Sequence, residues 1–143
     1  MAVNTITGSS IVLSVDLSGS TSPTAVAGAT TGSLSVNQET IDVTNKDSSG
    51  RKEFINGVKS WTLDCEAFTT SSGETVSGDT SIAALEAGTK VYVQFRDGSG
   101  QASAKKHTGY GYITSIGVNA NVGEFSTYSV SIQGTGQLTQ ASA

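Results

Sequence analysis

Histidine and cysteine occur once each in the 143 residues, as His107 and Cys65. Metal centres built on these residues need several of them close together, and a disulfide framework needs paired cysteines. No HExxH, no Cys/His cluster and no complete calcium loop is present; Asp97-Gly98-Ser99-Gly100 lacks the acids that would follow. No metal or cofactor is therefore expected. Nucleophilic catalysis needs a base beside the nucleophile. His107 opens a strand pattern and Cys65 falls on an apolar strand face, so they read as a surface residue and a small buried hydrophobe. Asp64 and Glu66 are the one pair of carboxylates on a shared face, and i, i+2 neighbours on a polar face are usually only solvated. Gly109-Tyr110-Gly111 and Gly134-Thr135-Gly136 do not open helices, so neither is a dinucleotide fingerprint. The chain reads as a non-enzyme.

Charge is also scarce. Charged residues make up 14%, with 8 Lys and Arg against 12 Asp and Glu, a net charge of -4 and a pI near 4.7. A protein that grips nucleic acid by neutralising phosphates needs a basic face. Long apolar runs are missing too. Nothing approaches the ~20 residues of a membrane-spanning helix. Ile11-Val12-Leu13 is too short for a secretory h-region, and no basic n-region precedes it. The expectation is a protein made in the cytoplasm that stays soluble or assembles there.

What is abundant is Ser, Thr and Gly, the last at 17 residues, together with alternating apolar positions and a single Pro. That composition is all-β and turn-rich rather than disordered. A chain of this length fits one domain, 1–143. Residues 1–8 read as a loose arm. A strand over 9–16 carries Ile11, Leu13 and Val15 on one face, and a turn cluster follows at 18–23. Leu34 and Val36 mark another strand. The apolar phase then slips to Ile41 and Val43, which demands a bulge or a turn.

The strand over 58–68 puts Trp61, Leu63, Cys65 and Ala67 on one face and Ser60, Thr62, Asp64 and Glu66 on the other. It spans roughly 36 Å at ~3.3 Å per residue, a length suited to the wall of a closed barrel. One helix is expected over about 79–87, N-capped by Asp79, closed by Gly88, and packed through Ile82 and Leu85. Val91, Val93 and Phe95 then share a strand face. A last hairpin turns at 121–123, with Tyr110, Tyr112, Ile116 and Val118 in phase on one strand and Tyr128, Val130 and Ile132 on the other. Residues 137–143 read as a second loose arm. The expected core includes Trp61, Leu63, Cys65, Val91, Val93 and Phe95. About seven strands result, as a β-sandwich or barrel with one short flanking helix.

Between the strands, residues 45–57 form a stretch too long for a tight turn. It holds Lys46, Asp47, Arg51, Lys52 and Glu53, with the apolar pair Phe54-Ile55. Mixed charge around an apolar pair suits docking to another protein surface better than gripping nucleic acid. The run Thr40-Ile41-Asp42-Val43-Thr44-Asn45-Lys46-Asp47, then Gly50-Arg51-Lys52-Glu53-Phe54, Gly57 and Lys59-Ser60-Trp61, resembles the major tail tube proteins of long-tailed bacteriophages. In that family an (I/V)DVT(S/N)-type strand end is followed by an E-x-x-x-G step and a strand opening K-S. Those steps stand here at 41–45, 53–57 and 59–60. The later order of helix, strand and strand hairpin matches as well.

The resemblance implies a virion tail component, assembled in the host cytoplasm. Hexameric rings would stack into a hollow tube that conducts genome DNA without binding it specifically. The inner tubes of contractile tails and type VI secretion are related. The implied partners are further copies of the chain, a tape measure protein, a tail terminator and baseplate or distal tail proteins, with no membrane. The loop 45–57 would contact the neighbouring ring through Lys46, Asp47, Arg51, Lys52, Glu53, Phe54 and Ile55. Candidates for the lumen face are Asp42, Thr44, Thr62, Asp64 and Glu66. The alternative reading is a non-enzymatic β-sandwich that recognises a glycan or a protein.

Overall fold

The structure is a computed structural model that describes residues 11–26, 29–69, 78–98 and 104–142. Its strands are β1 (Ile11–Asp16), β2 (Thr24–Ala25), β3 (Ala29–Asp42), β4 (Phe54–Phe68), β5 (Lys90–Asp97), β6 (Lys105–Asn119) and β7 (Thr127–Ser142). One helix, α1 (Gly78–Ala87), lies between β4 and β5, and a 3-10 turn (Lys46–Ser48) lies between β3 and β4. All seven strands form one antiparallel sheet in the order β2-β1-β5-β6-β7-β4-β3.

The mainly-β architecture with one helix matches the sequence reading, but the sheet does not close. Its edges are β2, only two residues long, and β3, which has fourteen. So short an edge cannot pair along so long a one. The two ends instead approach through side chains: a Cβ on Gly32 would stand 3.5 Å from the Phe95 ring. The curled sheet buries its concave face. Leu13 and Val15 from β1, Leu63 and Cys65 from β4, and Val91 and Val93 from β5 meet Tyr128, Val130 and Ile132 of β7 in one cluster. Each such side chain contributes about 1.5–3 kcal/mol by leaving water. Phe95 is half-buried at its margin.

Four local expectations are corrected. First, β4 begins at Phe54 rather than 58, so 54–57 are strand and the loop is shorter. Second, β7 runs to Ser142, which pairs with Lys105, so 137–142 are strand rather than a loose arm. Residues 1–8 fall outside the described residues. Third, Tyr110 and Tyr112 do not share a face with Ile116 and Val118. The β6–β7 register shifts between Ile113 and Ser115, and the extra residue, Thr114, reverses the alternation. Gly109, Gly111 and Ile113 therefore face inward and the two tyrosines outward. Fourth, α1 starts at Gly78, which puts Asp79 in its first turn. It seats on the sheet through Gly78, Ser81 and Ala84, with Ile82 and Leu85 only half-buried. Small residues let the helix lie close to Tyr128. Gly88 (φ 64°) ends it as expected: Gly88 N–H donates to Leu85 O at 3.1 Å and Thr89 N–H to Ala84 O at 3.1 Å, a Schellman pair.

The glycine triplets acquire a packing role. Trp61 lies flat over β7 and β6, where a Cβ on Gly134 would fall 2.0 Å from the indole and one on Gly109 2.7 Å. Its Nε1–H donates to Gly136 O at 3.4 Å. Only glycine leaves room for the ring on this bed.

Candidate assembly surfaces

β7 pairs with β4 only over 62–68. Beyond Trp61, β3 and β4 continue as a two-stranded finger that overhangs the sheet. The phase slip from Leu34 and Val36 to Ile41 is not a bulge in β3, which gains no residue there, and Ile41 simply faces the other side. The bulge in this finger is on β4, where Gln38 pairs with Lys59 and Thr40 with Asn56, so Gly57 and Val58 oppose Glu39 alone. Gly57 suits the site because a Cβ there would come within 3.0 Å of Glu39 O.

The loop at the fingertip is held by its own hydrogen bonds. Val43 N–H donates to Glu53 O at 2.9 Å, and Glu53 N–H to Thr44 Oγ1 at 2.9 Å. The Thr44 hydroxyl and amide donate to Asp42 Oδ1 at 2.6 and 2.9 Å, which lowers the Asp42 pKa. Asn45 caps the 3-10 turn by accepting from Asp47 N–H at 2.8 Å, while its own N–H donates to Ser48 Oγ at 3.1 Å. Lys46, Asp47, Arg51, Lys52 and Glu53 are all exposed around this frame.

The finger carries its apolar residues in the open. Ile41 and Ile55 sit directly opposite one another and are each 51% exposed; Phe54 is 54% exposed and Val58 71%. Alternation along β3 places Ile41 and Ile55 on one face and Phe54, opposite Asp42, on the other. Among the described residues, nothing covers this two-stranded finger, which is apolar on both faces.

Thr62, Asp64 and Glu66 share the convex face of the main sheet. Across β4–β7 they oppose Gln133, Ser131 and Ser129, and across β3–β4 Ser35, Ser33 and Thr31. Ser131 donates to Asp64 Oδ1 at 2.6 Å and Thr31 to Glu66 Oε2 at 3.4 Å. This is a hydroxyl-coated surface with two carboxylates. Asp42 and Thr44 are not part of it. Ser33 and Ser35 fix the parity of that face on β3, and Asp42 has the opposite parity, far along the finger. Farther across the same convex side, Tyr92 and Tyr110 pack with ring centroids 5.1 Å apart and Lys90 Nζ lies 5.0 Å above Tyr110.

Cys65 is buried in the core, and burial, with Glu66 adding to it, pushes its thiol up to about 11. His107 is half-buried within β6, opposite Phe95 and Gln140. Among the described residues no group of three or more His, Cys, Asp or Glu could hold a metal ion, and no helix is long and apolar enough to cross a membrane.

A family model for the phage tail tube protein matches residues 5–140. The chain belongs to that family. It is thus a structural component of the virion tail, and the glycan-binding reading is not favoured. No curated protein matches the chain. Among solved structures, a subunit in the virion of a native gene transfer agent particle superposes with a TM-score of 0.77 at 20% identity, over 95% of this chain and 98% of that one. A subunit in the tail of an empty gene transfer agent particle, refined with C6 symmetry, gives 0.71 at 22% identity over 95% and 98%. The SPP1 tail tube subunit gives 0.75 at 12% identity over 97% and 80%. At these identities the superpositions speak for the tail tube fold.

Proposed function

We propose that six copies of this tail tube protein close into a ring, and that rings stack into a tube through which genome DNA passes. The C6 symmetry of the similar gene transfer agent tail supports the ring number. The finger is the observation that carries the stacking: Ile41, Phe54, Ile55 and Val58 are exposed on a projection that none of the described residues covers. Heterologous contacts of this kind close rings in one direction and extend filaments in the other.

The convex face with Thr62, Asp64 and Glu66 is the natural lumen lining. Over β3, β4 and β7 its Ser and Thr hydroxyls and two carboxylates give phosphate nothing to hold, and Lys90 stands apart from them on β5, so DNA meets no continuous basic surface and slides rather than sticks. The protein acts as a conduit and not as a catalyst. Its place in the tail implies a tape measure protein in the lumen and terminator and distal tail proteins at the ends.

The test replaces 46–52 by a short Gly-containing turn. The sheet signal in circular dichroism should persist, single rings should remain, and tubes should be lost. Tubes of normal length from this variant would show that the fingertip makes no ring-to-ring contact.

A further inference from the structure

A second exposed apolar cluster lies at the other end of the same strand. β4 runs from Phe54 at the finger to Phe68, and Phe68 pairs with Thr127 at the start of β7. The β6–β7 turn is therefore at the end of the sheet opposite to the finger. It presents Val122, fully exposed, Phe125, 85% exposed, and Val118, 50% exposed. Phe125 meets the edge of Phe68 with ring centroids 5.8 Å apart, so the two rings form a preset apolar rim. Gly123 (φ 88°) and the Glu124 N–H bond to Asn121 O at 3.3 Å fix the turn. Apolar side chains exposed to this degree and grouped at a turn mark a contact surface.

The two ends differ in the charges they carry. Along 61–69 and 107–142 the only Asp, Glu, Lys or Arg residues are Asp64, Glu66 and Glu124. The fingertip, 42–53, carries three cations, Lys46, Arg51 and Lys52, alongside Asp42, Asp47 and Glu53. An apolar surface that offers three cations and an apolar surface whose own strands offer only carboxylates thus stand at opposite ends of a strand of 15 residues, some 46 Å apart at ~3.3 Å per residue. A second copy displaced along this strand brings its finger onto the first copy's β6–β7 turn.

We infer that the β6–β7 turn, with Phe68, Val122 and Phe125, receives the finger of a second copy of this chain in the next ring. The contact is head-to-tail and repeats without closing, which is the symmetry of a filament. This inference rests on the stacking proposed above and adds the surface that accepts the finger.

The test uses two full-length variants whose changed residues are exposed. One carries Ile41→Asp with Ile55→Asp and lacks a working finger. The other carries Val122→Asp with Phe125→Asp and lacks a working acceptor; Val122→Ser with Phe125→Ser is a milder form of it. Thermal melts by circular dichroism establish that each is folded, and the milder form serves if the first is not. Each variant alone should give single rings under the electron microscope. An equal mixture should give pairs of rings and nothing longer, because one finger-bearing ring can dock on one acceptor-bearing ring and growth then stops. Long tubes from the acceptor variant alone would overturn the inference, and so would a mixture that stays as single rings. Wild-type protein that forms neither rings nor tubes would instead refute the stacking itself.

Discussion

Replacing Gly134 by Ala tests the packing of the strand that carries the convex face. The added methyl would lie 2.0 Å from Trp61 Cε2 and 2.1 Å from Cδ2. Carbon atoms pack at about 3.5–4.0 Å, so the indole would have to lift by roughly 1.5 Å. Lifting breaks the Nε1–H bond to Gly136 O and opens a gap above Gly109 on the next strand. Overpacking of a core typically costs about 1–3 kcal/mol, and losing a buried tryptophan about 3–5. A value near 3 kcal/mol is expected, which lowers Tm by about 6–12 °C for a chain of this size. The assay is thermal and urea unfolding of unassembled protein, followed by circular dichroism and by the fluorescence of the single Trp. In a Trp61→Leu background the same Gly134→Ala change should cost less by at least about 1 kcal/mol, since the ring it strikes is gone. An equal cost in both backgrounds, or a cost under about 0.5 kcal/mol in the first, would refute the reasoning.

Three further outcomes follow from single residues. Native Cys65 should react at pH 8 at least about 100-fold more slowly with a thiol reagent than it does in denaturant, because its pKa is pushed up to about 11 and its sulfur is buried. For the same reason the thiol's contribution to stability is complete below about pH 9 and is lost as pH rises towards 11; melts across that range should show falling Tm, and Cys65→Ala should flatten the fall. Asp16 accepts from the Ser18 hydroxyl and amide at 2.6 and 2.8 Å, from the Ser20 hydroxyl, and from Ser22 N–H, which lower its pKa to about 2. Its contribution is present above about pH 4 and is lost as pH falls through about 2, so Asp16→Asn should lower Tm at pH 7 and lower it much less at pH 2, with hydrogen bonds of this kind worth about 1–2 kcal/mol in sum.

The uninterrupted alternation from Trp61 to Ala67 made the inner face of β4 legible, because nothing breaks its period of two. The polar set Thr62, Asp64 and Glu66 was legible with it. Where the sequence misled, a bulge is responsible. Gly57 and Val58 oppose a single residue, so the alternation reverses there, Ile55 no longer follows the phase of Trp61, and 54–57 look like loop. Thr114 does the same to the tyrosines of β6. The end of β7 was hidden for another reason: Thr139 and Gln140 are exposed, and they are strand because Thr108 and His107 of β6 supply partners for their backbone. Asp42 and Thr44 carry the family motif, yet they brace the fingertip loop and do not share the face of Thr62. The bed beneath Trp61 had one visible sign, two Gly-x-Gly triplets in what became paired strands.

Electron microscopy of the purified full-length chain at rising concentration tests the central claim most directly. Rings with six-fold symmetry that stack end to end into hollow tubes are the predicted result. A monodisperse monomer at high concentration, forming no tubes even on added tail-tip seeds, would contradict the account.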